Sequence, residues 1–244
     1  MLVAAAVLPH PPLLIPELAA GAADELATVR TACLDALKPV LAANCDVVVV
    51  GVADRAHDVR ETFAPGAAGS MAGFGVQITA HVPGVGGKDQ ADRRLPLSLT
   101  VGAWLMSRFD EWGRVRSTSL PSELATSGAW ELGREIGASA DRVAIVAMAD
   151  GSSTLSLKAP GYLADGAEEW QATVTDAIAS VDHEALAAVT AEDASRFGAT
   201  GRAVWQVLAG AASASGGQWR GEVLAADAPY GVGYVVASWV KQPE

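Results

Sequence analysis

Cys45-Asp-Val-Val-Val-Val-Gly-Val52 is the stretch on which the fold turns. It is an apolar, β-branched run with no polar alternation, the pattern of a strand covered on both faces inside a parallel sheet. Ahead of it, residues 21–43 read as a helix. Leu26, Val29, Cys33 and Leu37 recur at helical spacing, extended by Val40 and Leu41, with Asp24, Glu25, Arg30 and Asp35 elsewhere on the surface. Pro39 is expected to kink this helix or end it early. Further back, residues 2–8 form a second apolar run, halted by Pro9. Strand, helix and strand make a right-handed crossover unit, and so an α/β class.

The same grammar continues towards the C-terminus. Residues 142–150, Arg-Val-Ala-Ile-Val-Ala-Met-Ala-Asp, form a third strong strand that runs straight into Gly151-Ser-Ser-Thr154. Residues 53–73 lack periodicity and read as a long loop carrying Asp54, His57, Asp58 and Glu61. Residues 74–82 read as a strand with His81 near its end, and residues 83–94 as a mobile, glycine-rich loop. That loop lacks the spacing of a phosphate cradle.

Helices are expected over residues 95–112, with Leu97, Val101, Trp104, Leu105 and Phe109 on one face, and from a cap at Ser127 to about residue 138. Residues 114–119 read as a short strand between them. Three more helices cover residues 165–180, 182–196 and 200–211. Residues 219–226 and 232–239 form a closing strand pair around the turn Asp227-Ala-Pro-Tyr-Gly231. The sum is one α/β domain over residues 1–244: three layers, a mixed and mostly parallel sheet, and helices on both faces.

Composition narrows the function classes. Half of the 244 residues are hydrophobic and 18% are charged, which suits a well-buried sheet. The 28 acidic and 17 basic residues leave a net charge of −11, which disfavours nucleic acid or an anionic membrane as partner. The N-terminal apolar run is short, has no basic flank and is broken by prolines, so it is not read as a signal peptide. No stretch offers the ~20 uninterrupted apolar residues of a membrane helix. Cys33 and Cys45 fit reduced thiols, and the expected location is the cytoplasm.

Chemistry-bearing residues follow the strong strands. His10 stands between Pro9 and Pro11-Pro12, which hold it in a stiff extended segment at a strand end, where open α/β sheets place their ligands. A loop histidine bonded to a carbonyl is the commoner outcome for such a residue taken alone. The Asp54/His57/Asp58 loop and Asp150 with its serines follow the other two strands, and Asp227 joins them if the last turn lies at the same edge. Two histidines and one carboxylate on one face can hold ferrous iron with open positions, though a solvated loop histidine is the plainer reading of His57. His81 and His183 read as surface residues. Asp150 can instead cap the turn after it. Ser152 and Ser153 lack the nucleophile-elbow pattern of a hydrolase. The seven tryptophans, Trp104 and Trp205 among them, read as core or pocket wall.

Several stretches together resemble a family. Val7-Leu-Pro-His-Pro-Pro-Leu-Leu-Ile-Pro16, Ala149-Asp-Gly-Ser-Ser153, Ala159-Pro-Gly-Tyr162 and Ala228-Pro-Tyr-Gly-Val-Gly-Tyr234 are similar, in order, to the catalytic B subunit of class III extradiol ring-cleavage dioxygenases. The likeness is closer to its small single-chain actinobacterial relatives. The resemblance implies a non-haem Fe(II) held by two histidines and a glutamate, a further histidine as acid–base catalyst, and a catechol-type substrate attacked by O₂. It also implies self-association or pairing with a small partner subunit.

Carried over residue by residue, the resemblance makes His10 the first metal ligand. His57 becomes a displaced second ligand with Asp54 as competitor, and Asp227 stands where the glutamate is expected. Asp150 and Ser153 fall at the catalytic segment, with Ser153 in place of the family's histidine. Without that imidazole, proton transfer has no evident carrier, a loss typically of about 10²–10⁴-fold in rate. Two readings therefore stand at this point. One is a divergent Fe(II) dioxygenase acting on an aromatic diol at His10, His57 and Asp227. The other is a metal-free scaffold or small-molecule-binding protein on the same fold.

Overall fold

The computed structural model describes residues 1–85 and 93–243. The three apolar runs are strands β1 (Leu2–Leu8), β2 (Asp46–Val52) and β7 (Val143–Met148), and each is buried almost end to end. Between β1 and β2 lie a single-turn helix α1 (Pro16–Ala19) and the crossover helix α2 (Ala27–Ala42). After β2 come three short strands, β3 (Glu61–Phe63), β4 (Ala68–Ser70) and β5 (Thr79–His81), then α3 (Leu97–Met106). Strand β6 (Val115–Leu120) and helix α4 (Thr126–Gly137) precede β7. Beyond β7 run α5 (Ala167–Ser180), α6 (His183–Ala188), α7 (Ala191–Arg196) and α8 (Arg202–Ser215). Two antiparallel strands, β8 (Trp219–Asp227) and β9 (Tyr234–Lys241), close the chain.

The main sheet has seven strands in the order β3-β6-β2-β7-β1-β9-β8. Its centre, β6-β2-β7-β1, is parallel, while β3 and β9 pair antiparallel at the two flanks. The mixed, mostly parallel α/β sheet expected from the sequence is therefore present, with helices around it. Side chains alternate strictly across the strands. Ala4, Ala6, Val47, Val49, Ala144 and Val146 enter one buried cluster with α2 and α3. Ala5, Val7, Val48, Val50, Ile145 and Ala147 enter the other, with α4, α5 and α8. A Cβ added at Gly133 of α4 would strike the Val207 carbonyl, and one at Gly210 of α8 would strike that of Trp130. These two helices thus touch backbone to backbone.

Several local expectations are corrected. Helix α2 starts at Ala27 and runs through Pro39 to Ala42, giving up the ladder bond that residue 39 would make to the Asp35 carbonyl. Residues 53–73 are not one loop, because β3 and β4 form within them and pair with β6 and β5. The strand expected over residues 74–82 shrinks to β5. Helix α3 is shorter than residues 95–112 and is buried along nearly its whole circumference, packed between β2 and the β4–β5 pair. Ser127 lies inside α4 rather than at its cap. Residues 182–196 divide into two helices because Thr190 accepts the Asp193 N–H at 3.0 Å and starts a new one. Residues 86–92 of the glycine-rich loop lie outside the described residues. Among the described residues no helix is long and apolar enough to cross a membrane.

Candidate functional site

Register builds the site. Parallel pairing of β1 with β7 sets Leu8 opposite Met148, and the ladder extends one step further when the Ala149 N–H donates to the Leu8 carbonyl at 2.8 Å. The next residues out of the two strands then face each other: His10, stiffened by its prolines, and Asp150. The His10 backbone N–H donates to Asp150 Oδ1 at 2.8 Å, and the imidazole Nε2 stands 3.5 Å from Oδ2. One carboxylate thus holds a single histidine by main chain and ring together. The two side chains keep only 11% and 17% of their surface exposed. Imidazole Nδ1 is buried and has no hydrogen-bond partner among the described residues.

The segment carrying Asp150 is fixed on several sides. The Gly151 N–H donates to the Gly233 carbonyl, the Gly233 N–H to the Ser152 carbonyl, and the Gly201 N–H to the Asp150 carbonyl, all within 3.0 Å. The Ser152 N–H donates to Gln171 Oε1 at 2.8 Å. Beneath it, Trp170 stacks at a tilt against Phe197 and Trp205, with centroids 5.3 and 6.4 Å apart. Trp104 and Trp205 are both core residues, 5% and 1% exposed, as expected. Such bracing is what a positioned functional group requires.

Two buried groups feel the Asp150 charge. The Tyr234 hydroxyl is pushed up from its ordinary value, first by burial, then by Asp150 and Tyr230. The Cys33 thiol is likewise pushed up by burial and then by Asp150, against a weaker pull from Arg30. Both stay neutral at physiological pH. Tyr230, next along the closing turn, donates to Glu25 Oε2 at 2.8 Å, tying that turn to the segment after α1. Sequence reasoning places Cys33 on the apolar face of its helix but assigns neither Cys33 nor Tyr234 to this site. Their clue is placement: an apolar-face tyrosine at the start of β9 and a thiol on the buried face of α2.

The other sequence candidates are not gathered here. His57 lies in a short 3-10 turn beyond β2, its imidazole 67% exposed and 3.6 Å from Glu61 Oε1. Asp227 ends β8, is exposed, and its Oδ1 accepts the N–H of the following Ala228 at 2.7 Å. Strand order explains the separation. One strand, β7, intervenes between β1 and β2, and another, β9, between β1 and β8. His57 and Asp227 therefore spring from strands about four spacings apart, roughly 19 Å at ~4.8 Å per strand. Among the described residues no three His, Cys, Asp or Glu side chains group so as to hold a metal ion. The triad of His10, His57 and Asp227 is corrected accordingly: these residues share a sheet edge but not a centre, and they do not fit the Fe(II) that the family resemblance implies.

The remaining candidates have local roles. Ser153 Oγ lies against Gly198 and Gly161, while its N–H donates to the Phe197 carbonyl at 2.9 Å. Asp54 Oδ1 accepts the Leu97 N–H at 3.0 Å, at the start of α3. Asp58 accepts both the N–H and the hydroxyl of Ser122. His81 on β5 is exposed, with Nδ1 3.3 Å from the Gly66 carbonyl, whereas His183 is half-buried against the Trp130 ring.

No protein-family model matches the chain. No curated protein matches it either. Among solved structures it is similar to the uncharacterized protein JW3007 from Escherichia coli K12, at a TM-score of 0.51 and 16% identity over 98% of this chain and 99% of that one. The likeness is one of fold and extends over both chains.

Proposed function

We propose that this chain is a small-molecule-binding protein on a class III extradiol dioxygenase-like scaffold, with the His10–Asp150 pair as its polar centre and no two-histidine, one-carboxylate iron site. The observation that supports the reading is the double hold of Asp150 on His10, while His57 and Asp227 are engaged elsewhere. A carboxylate facing one ring nitrogen places the proton of a neutral imidazole on that side. The exposed edge of the pair then offers a ligand the Asp150 carboxylate as acceptor, its Oδ2 beside the imidazole, a match for the O–H of a hydroxyl group. The braced backbone of residues 150–154 fixes the direction of approach.

Ring cleavage is not part of this reading, since Ser153 supplies no imidazole and faces two glycines. The free thiols Cys33 and Cys45 support a reducing compartment, and with it the cytoplasm. The test is turnover. Protein loaded anaerobically with ferrous iron is given catechol and O₂, and ring-opened product is followed by its absorbance. The expected rate equals that of free ferrous iron, for wild type and His10→Ala alike. Turnover that depends on His10 would overturn the reading.

A further inference from the structure

A second polar site lies two strands away, at the carboxyl end of β2. It is a cavity of about 330 Å³ walled by Ala53, His57, Phe63, Arg93, Arg94 and Pro96. It shares no lining residue with the His10–Asp150 pair, so its ligand chemistry is independent of the function proposed for that pair.

The charges of this cavity are unequally committed. Asp54 is used as the acceptor for the Leu97 N–H at 3.0 Å. Glu61 Oε1 faces His57 Nε2 at 3.6 Å. Arg93 donates one N–H to the Thr62 carbonyl at 3.1 Å and keeps its other donors. The Arg94 guanidinium has no hydrogen-bond or ion-pair partner among the described residues. Each acid thus has one oxygen engaged, while the Arg94 guanidinium and the remaining donors of Arg93 have no partner among the described residues, in a chain whose net charge is −11.

A guanidinium presents paired N–H groups that match a carboxylate, and charge-assisted bonds of this kind are the strong ones. The same lining includes the apolar residues Phe63, Pro96, Ala53 and Ala56, beside Ser119. The volume falls at the lower end of small-ligand pockets. From this combination we infer that the cavity binds a small organic carboxylate, its acid group on Arg93 and Arg94 and its apolar body against Phe63 and Pro96.

Benzoate and its neutral isostere benzamide are the probes, titrated into the full chain and followed by amide NMR shifts. Benzoate is expected to saturate, moving the amides of residues 53–57 and Arg94, and to bind at least about tenfold more tightly than benzamide. The double substitution Arg93→Gln and Arg94→Gln, both at exposed positions, is expected to weaken benzoate by a similar factor at an unchanged melting temperature. His10→Ala is expected to leave benzoate binding as it is, which separates this site from the His10–Asp150 pair. Absent saturation, equal binding of benzamide, or shifts centred on residue 10 would each overturn the inference. Should the double variant not fold, the benzoate–benzamide comparison on wild type decides alone.

Discussion

Asp150 accepts the backbone N–H of His10 at 2.8 Å and faces the ring of the same residue at 3.5 Å. The backbone hydrogen bond and the ring contact differ in kind, and substitutions separate them. Asp150→Asn keeps an acceptor for the backbone N–H and gives up the charge. Asp150→Ala loses both and leaves a part-buried N–H without a partner, at a cost of roughly 1–3 kcal/mol. Urea denaturation should therefore rank stability as wild type, then Asn, then Ala, with the larger step between Asn and Ala. A larger step between wild type and Asn would mean that the ring contact dominates.

The Cys33 thiol gives the protein an alkaline weakness. Burial, then Asp150, raises its folded-state pKa, so its contribution to stability is complete below the ordinary thiol value of about 8.5 and is lost as pH rises above it. The unfolded chain ionises there while the folded one does not. Between pH 7 and pH 9.5 the effect amounts to about 1 kcal/mol. Cys33→Ala should lose less stability than wild type over that interval, as read from urea midpoints at both pH values. Equal losses would show that Cys33 plays no part.

The contact between α4 and α8 rests on Gly133 and Gly210. A methyl group at either position meets a carbonyl of the facing helix, which cannot turn aside as a side chain could. Gly133→Ala and Gly210→Ala should each cost about 1–3 kcal/mol by overpacking. Gly73→Ala, where the added atom meets nothing within 4 Å, is the control. Calorimetric melting should separate the first two variants from the third.

Arg202, only 4% exposed, donates to Gln206 Oε1 at 2.9 Å and to the Leu124 carbonyl at 2.8 Å. Gln206 in turn donates to the Val189 carbonyl at 2.9 Å, so the two side chains join the loops before α4 and α7. Burial, the larger influence, lowers the Arg202 pKa, against an opposing effect of Glu123. Arg202→Met keeps the stem and leaves these acceptors unpaired. The expected loss is roughly 2–4 kcal/mol, with faster proteolysis at residues 121–125 as a local sign. Unchanged stability and cleavage would contradict this role.

Much of the framework is legible in the sequence because it is local. The runs at residues 2–8, 45–52 and 142–150 carry their own evidence of burial, and each is a strand of the parallel centre. Strands β3 and β4 escape a sequence reading, and β5 is read too long, because three residues cannot display a period and these strands exist through partners elsewhere in the chain. The site divides along the same line. Placing His10 and Asp150 at strand ends needs only local patterns. That they meet, while His57 and Asp227 do not, depends on strand order and on the pairing of Leu8 with Met148. Such long-range pairing has no signature in either segment alone.

The most direct test of the central claim is metal stoichiometry. Protein purified anaerobically with excess ferrous iron and then desalted is assayed for bound iron, in wild type and in His10→Ala. The geometry of His10, His57 and Asp227 predicts far less than one iron per chain, and the same small amount in both proteins. One iron per chain in wild type, lost in His10→Ala, would contradict the account.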